Sequence, residues 1–200
     1  HDEVETLFHE FGHVLHGVLS RADYSPHGGT NVMRDFVEAP SQMFEEWARR
    51  AESIALLRLS CKDCPVLGAD LIHRLDDARK YGAGVKYSRQ HLYAAFDMAL
   101  AGREPADALA TWVRMETETP LGYVDGTQFP GNFGHIAGGY AAGYYGYMWS
   151  EVLALDMLSA FKPDMLDPKV GIRYRDTILA PGGQVDEMQT RLNNMQSWGT

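Results

Sequence analysis

His9-Glu10-Phe11-Gly12-His13 constrains this chain more than any other stretch, because it sets two imidazoles four residues apart inside an amphipathic segment running from Asp2 to about Leu19. On an α-helix, residues i and i+4 share a face roughly 6 Å apart, so both rings can close on one cation. Neutral imidazole nitrogens suit Zn²⁺ at about 2.0 Å. Glu10 lies about 100° further around the helix, beside such an ion without having to ligate it, and is placed to take a proton from a water there. The helix is expected from Val4, Leu7, Phe8, Phe11, Val14, Leu15 and Val18, apolar at threes and fours as a buried stripe requires. Gly12 is the one poor helix former within His9–His13 and, lacking a side chain, admits another backbone at close range.

Two histidines make an incomplete site, since a catalytic zinc usually has three protein ligands and one open position, with His₂Glu a recurring set. The third candidate is Glu38, in Arg34-Asp35-Phe36-Val37-Glu38-Ala39-Pro40-Ser41-Gln42-Met43, at the start of a second amphipathic helix with Pro40 near its first turn. The intervening loop, Ser20 to about Val32, carries Pro26 and Gly28-Gly29 and can turn the second helix back across the first. Taken alone, Glu38 would be an acid favouring a helix N-terminus; the paired histidines make it a ligand. Glu5, one turn before His9, and Ser41 or Gln42 after Glu38 are placed to orient the ligands through hydrogen bonds.

A second constellation lies in residues 131–147, which hold six glycines. Glycine gives the segment the backbone freedom that a closing active site uses. Tyr140, Tyr144 and Tyr147 fall at i, i+4 and i+7, one face of an expected helix, and His135 stands just before them. Alone, such a stripe is an ordinary packed helix; together with the histidine it gathers several hydrogen-bond donors.

HEFGHVLHG followed by GGTNVMRDFVEAPSQMFEEW resembles the zinc-binding core of the thimet oligopeptidase family of metallopeptidases. GHIAGGY and YYGYMWSE resemble the same family's substrate-binding segment, and the likeness runs from His1 to about Gly183, thinning beyond it. The resemblance implies one Zn²⁺ per chain on His9, His13 and Glu38, the last at the family's spacing from His9, and Glu10 as general base. It implies His135 and Tyr147 as donors to the developing oxyanion, Tyr140 and Tyr144 as substrate-binding groups, and Gly138 and Gly139 as pliable backbone. The activity it implies is metalloendopeptidase cleavage of short peptides in the cytoplasm. Family members are several times longer, which implies a catalytic C-terminal part against which a missing N-terminal half packs. The alternative is a zinc- and peptide-binding module without catalysis, disfavoured because Glu10 is present.

Two hundred residues, 45% of them hydrophobic, suit one domain over residues 1–200. A net charge of −9 argues against nucleic acid or an anionic membrane as partner, and no apolar run approaches the ~18 residues of a membrane span. Cys61 and Cys64 form a lone C-x-x-C without a second pair for zinc or a βαβ context for redox chemistry, and are expected to be reduced thiols in an interhelical turn. The fold class is mainly α, a zincin-like orthogonal bundle. Further helices are expected near 66–81, 86–101, 106–118, 141–161, 170–179 and 185–195, with Thr30–Met33 and Gly122–Val124 at most short edge strands.

Overall fold

The computed structural model describes residues 2–61, 63–65 and 67–185, and among them the chain is helical with no strand. The described residues fall into two compact units, one drawn from the stretches 2–81 and 149–185, the other Gly82–Met148.

In the first unit α1 (Asp2–Leu19) is followed by α2 (Ala39–Glu45), α3 (Ala51–Leu59) and α4 (Ala69–Lys80). Pro40 sits in the first turn of α2, where its missing N–H is no loss. The loop after α1 returns the chain as expected, and Gly12 is the point of crossing: a Cβ there would stand 2.6 Å from the Ser41 Cα. Gly29, at φ +57, makes a similar approach to Gly17.

Most of the expected apolar stripe of α1 faces away from the packed side, and of its residues only Phe8, against Phe44 at 5.1 Å, and Leu15 are half-buried. Leu7 and Val18 are 63% and 70% exposed, and Val4, Phe11 and Val14 are exposed as well, whereas Gly12 and His16 are buried. At 100° per residue, Glu5, His9, Gly12 and His16 form a face opposite to Val4, Leu7, Phe11, Val14 and Val18. The packed side of α1 is therefore its polar one.

The core of this unit is built by Phe36, Ala39 and Met43 against Leu153, Ala154, Met157 and Leu158 of α7 (Gly146–Ser159), with Phe161, Met165, Tyr174, Ile178 and Leu179. Asp167 caps α8 (Pro168–Tyr174) by accepting the Lys169 N–H at 2.8 Å. A π-helical turn, Arg175–Leu179, continues it. Arg21 donates its N–H to the Ala180 carbonyl at 2.8 Å, and a Cβ on Gly182 or Gly183 would collide with the carbonyl oxygens of His27 and Asn31. The long loop after α1 is thus seated on the segment that follows α8. Thr30–Met33 forms turns, with the Asn31 N–H on the Gly28 carbonyl at 3.2 Å, and supplies no edge strand.

Cys61 and Cys64 are joined by a disulfide, contrary to the expectation of reduced thiols. Their Cα atoms are 5.5 Å apart, a spacing a disulfide spans readily.

The second unit holds α5 (Ala83–Leu100) and α6 (Ala108–Thr117). Gly82 enters α5 with left-handed backbone (φ 72), and Asp107 caps α6 through the Ala110 N–H at 2.9 Å. Its core is aromatic: Phe96 and Trp112 are fully buried and meet edge to face at 5.2 Å, and Phe129, Phe133 and Tyr144 complete the cluster with Leu92 and Ala94. Arg89 lies over Tyr93, Trp112 and Phe129 and pairs with Glu116. Gly122, at φ +69, closes a turn on Thr119, so Gly122–Val124 is no strand either. The helix expected from Ala141 begins only at Gly146, and the one expected over 185–195 lies, apart from Val185, outside the described residues.

Candidate metal centre

The crossing of α1 and α2 at Gly12 brings three ligand atoms to one point. His9 Nε2 and His13 Nε2 each lie 3.1 Å from the same oxygen of Glu38, Oε2. The ligand atoms all lie within 4.8 Å of one another, and Glu38 is 3% exposed. A tetrahedron with bonds of about 2.0–2.1 Å has edges of roughly 3.3 Å, so two imidazole nitrogens and a carboxylate oxygen at this separation fit a His₂Glu zinc site. Two nitrogens and one hard oxygen are also the donor chemistry that zinc takes.

The supporting contacts differ in part from expectation. Ser41, fully buried, donates its hydroxyl to Glu38 Oε2 at 3.1 Å and to the Glu38 carbonyl at 3.0 Å. His9 Nδ1, however, meets Glu45 Oε1 at 2.8 Å, and Glu5 instead receives two bonds from Arg49, at 2.8 and 2.6 Å. Arg49 also pairs with Glu46 at 2.6 Å and with Glu45 at 3.5 Å, which holds the Glu45 carboxylate in place. Burial alone would depress the His9 imidazole, but its hydrogen bonds to Glu38 and Glu45 outweigh that and push its pKa up to about 9. The same negative field would favour a cation between the rings. Glu45 carried a readable signal, since it follows Glu38 by two turns of helix and so shares its face.

Glu10 is exposed, one position around α1 from His9, and pairs with no other described residue. His13 Nδ1 is buried without a hydrogen-bond partner among the described residues.

In the second unit His135, Tyr140, Tyr144 and Tyr147 gather into one cluster. The His135 ring stands 5.8, 5.2 and 5.8 Å from those of Tyr140, Tyr144 and Tyr147, and Tyr140 stacks on Tyr147 at 5.0 Å. A helical face is not what assembles them, because residues 141–145 are turns and only Tyr147 lies in α7. Ala142 is the single described non-glycine residue with positive φ, at 54°. His135 is exposed, whereas Tyr144 is buried and donates its hydroxyl to Gln90 at 3.1 Å. Gly139 has φ +103, and a Cβ on Gly138 would press on the Gly134 carbonyl at 3.2 Å. The structure thus brings the three metal-ligand candidates together in the first unit and the His135–tyrosine group together in the second.

A model of peptidase family M3 matches residues 1–196. The chain belongs to peptidase family M3. The match carries the family likeness past Gly183, where the sequence alone shows it thinning. Among curated relatives of this M3 chain, the thimet-like oligopeptidase of Dictyostelium discoideum is 38% identical over 98% of the chain and 30% of its own length. Oligopeptidase A of Escherichia coli is 36% identical over 94% of the chain and 29% of its own, and saccharolysin of Saccharomyces cerevisiae 37% over 93% and 27%. The chain therefore spans under a third of the length of these relatives.

Proposed function

We propose that this chain is the catalytic part of a zinc metalloendopeptidase that hydrolyses short oligopeptides. The observation that carries the reading is the convergence of His9, His13 and Glu38 on one point, with an unpartnered carboxylate, Glu10, on the adjoining position of α1. Oligopeptidase names among M3 relatives support the substrate class. Zinc held by these three residues would polarise the scissile carbonyl and bring a water's pKa towards ~7.

The protein's own groups then divide the work. Glu10 takes the proton of the attacking water and later passes it to the leaving amine. Glu45 and Ser41 keep His9 and Glu38 in register. The His135 ring and the Tyr147 hydroxyl donate to the carbonyl oxygen as it becomes anionic. Tyr140 and the backbone of Gly138 and Gly139 form the peptide-binding surface, while Tyr144, buried with its hydroxyl on Gln90, backs His135 from within the aromatic core and does not itself meet the peptide.

The uncovered apolar face of α1 supports a further part of the proposal, that the remainder of a longer protein, its N-terminal half, packs there. A cytoplasmic setting belongs to the same proposal and rests on the family likeness; the net charge of −9 disfavours nucleic acid or an anionic membrane as partner, and among the described residues no helix is long and apolar enough to cross a membrane.

The test is hydrolysis of a quenched fluorescent peptide by the longer protein, before and after chelation, with metal content measured in parallel. One zinc per chain, loss of hydrolysis on chelation and recovery on adding zinc are expected. Bound zinc without hydrolysis would instead mark a binding module.

A further inference from the structure

Asp97 is a buried carboxylate that the chemistry above does not use. It lies in the last turn of α5, is 2% exposed, and accepts three successive backbone N–H groups: Ala142 at 2.9 Å on one oxygen, Gly143 and Tyr144 at 2.9 Å each on the other. A negative side chain near a helix C-terminus opposes the macrodipole, so α5 gains nothing from it. The beneficiary is the turn. Ala142 has the left-handed backbone that L-residues avoid, and such conformations persist where surrounding contacts over-determine them. Left-handed and turn backbone aims successive N–H groups to one side, a concavity suited to an anion; here the anion is the chain's own carboxylate.

Two turns of helix before Asp97, Gln90 receives the Tyr144 hydroxyl at 3.1 Å. α5 therefore grips the segment twice, by its backbone and by the one tyrosine packed in the core. On either side of that grip stand Tyr140 and Tyr147, whose rings stack at 5.0 Å beside His135. The Tyr140 N–H bonds the His135 carbonyl at 3.0 Å, which ties the histidine's backbone to the same turn.

We propose that Asp97 is a positioning residue of the glycine–tyrosine segment, its carboxylate holding the 142–144 turn in the one conformation that sets Tyr140 and Tyr147 against His135. The proposal rests on the role assigned to that segment under the proposed function. It divides the segment physically: residues 140–144 are fixed by α5, and freedom is left to the glycines before Tyr140.

The test uses the longer protein carrying Asp97→Asn, which keeps size but replaces one acceptor oxygen by an N–H donor facing backbone N–H. Amide hydrogen exchange over residues 140–147, zinc content, kcat and KM are measured. Exchange at 142–144 is expected to accelerate about tenfold or more, kcat to fall about tenfold through misplacement of the donors, and zinc content to stay unchanged. Adding Ala142→Gly should recover part of kcat, because glycine holds φ near +54° without help. Wild-type exchange and kcat in Asp97→Asn overturn the proposal, as does a kcat loss with unchanged exchange.

Should Asp97→Asn fail to fold, Ala142→Val attacks the same turn with a β-branched residue at positive φ. Faster exchange and lower kcat support the proposal, and wild-type values in that variant overturn it. Tyr147→Phe, run alongside, separates the two ideas: wild-type turnover there removes the oxyanion role, while the exchange data still decide what Asp97 does.

Discussion

Glu45 Oε1 lies 2.8 Å from His9 Nδ1, on the side of the ring away from Glu38. The imidazole is thus clamped between two carboxylates, one a ligand candidate and the other a support, and Arg49 holds the support from behind. A carboxylate there fixes which nitrogen carries the proton and raises the basicity of the other.

Glu45→Gln is accordingly expected to weaken zinc binding about 10- to 100-fold without unfolding the chain. Competition against a zinc-binding dye measures it. An unchanged affinity would reduce the contact to a by-product of helix packing.

Gly12→Ala sets two effects against each other. Alanine favours a helix by about 1 kcal/mol over glycine. Against this, its Cβ would lie 2.6 Å from the Ser41 Cα, a backbone atom that cannot rotate away, and overpacking costs about 1–3 kcal/mol. The second effect is expected to win, with a lower Tm and, because α2 is pushed off α1, weaker zinc binding. A Tm at or above wild type would show that the two helices separate without strain.

What the sequence discloses here follows the range of the interactions. The convergence of His9, His13 and Glu38 was legible because the two histidines are placed by helix geometry alone and Glu38 by the spacing of the family it resembles. Gly12 was legible because a residue without a side chain, set between the paired histidines, admits another backbone at close range. The facing of α1 was not: amphipathicity tells which side is apolar, whereas what covers it is a tertiary matter, and here the candidate metal ligands occupy the packed polar side. The start of α7 escapes local pattern for a similar reason. Tyrosines at i, i+4 and i+7 mimic a helix, but the turn that displaces it is held by Asp97, 45 residues before Ala142, and no local pattern announces such a bond.

Glu10→Gln should retain one zinc per chain and lose hydrolysis. The amide matches the carboxylate in size but cannot accept a proton from the attacking water. Metal analysis and peptide turnover on the same preparation check both halves. Turnover near wild type would assign the base to another group and remove Glu10 from the chemistry.

Tyr147→Phe bears on the segment whose role has the weightiest competing explanation, simple packing. Tyr147 is half-buried, stacks on Tyr140 and stands beside His135, contacts a phenylalanine ring would keep. Only the hydroxyl is lost. If that hydroxyl donates to the carbonyl oxygen as it becomes anionic, the bond exists mainly in the transition state, so kcat and kcat/KM should fall together by about 10²-fold while Tm and zinc content hold. A rise in KM alone would mean ground-state binding, and a loss of Tm with normal turnover would mean packing. The measurement belongs in the longer protein, with a peptide short enough to report chemistry and not conformational access. Wild-type kcat there would sink the oxyanion assignment for Tyr147.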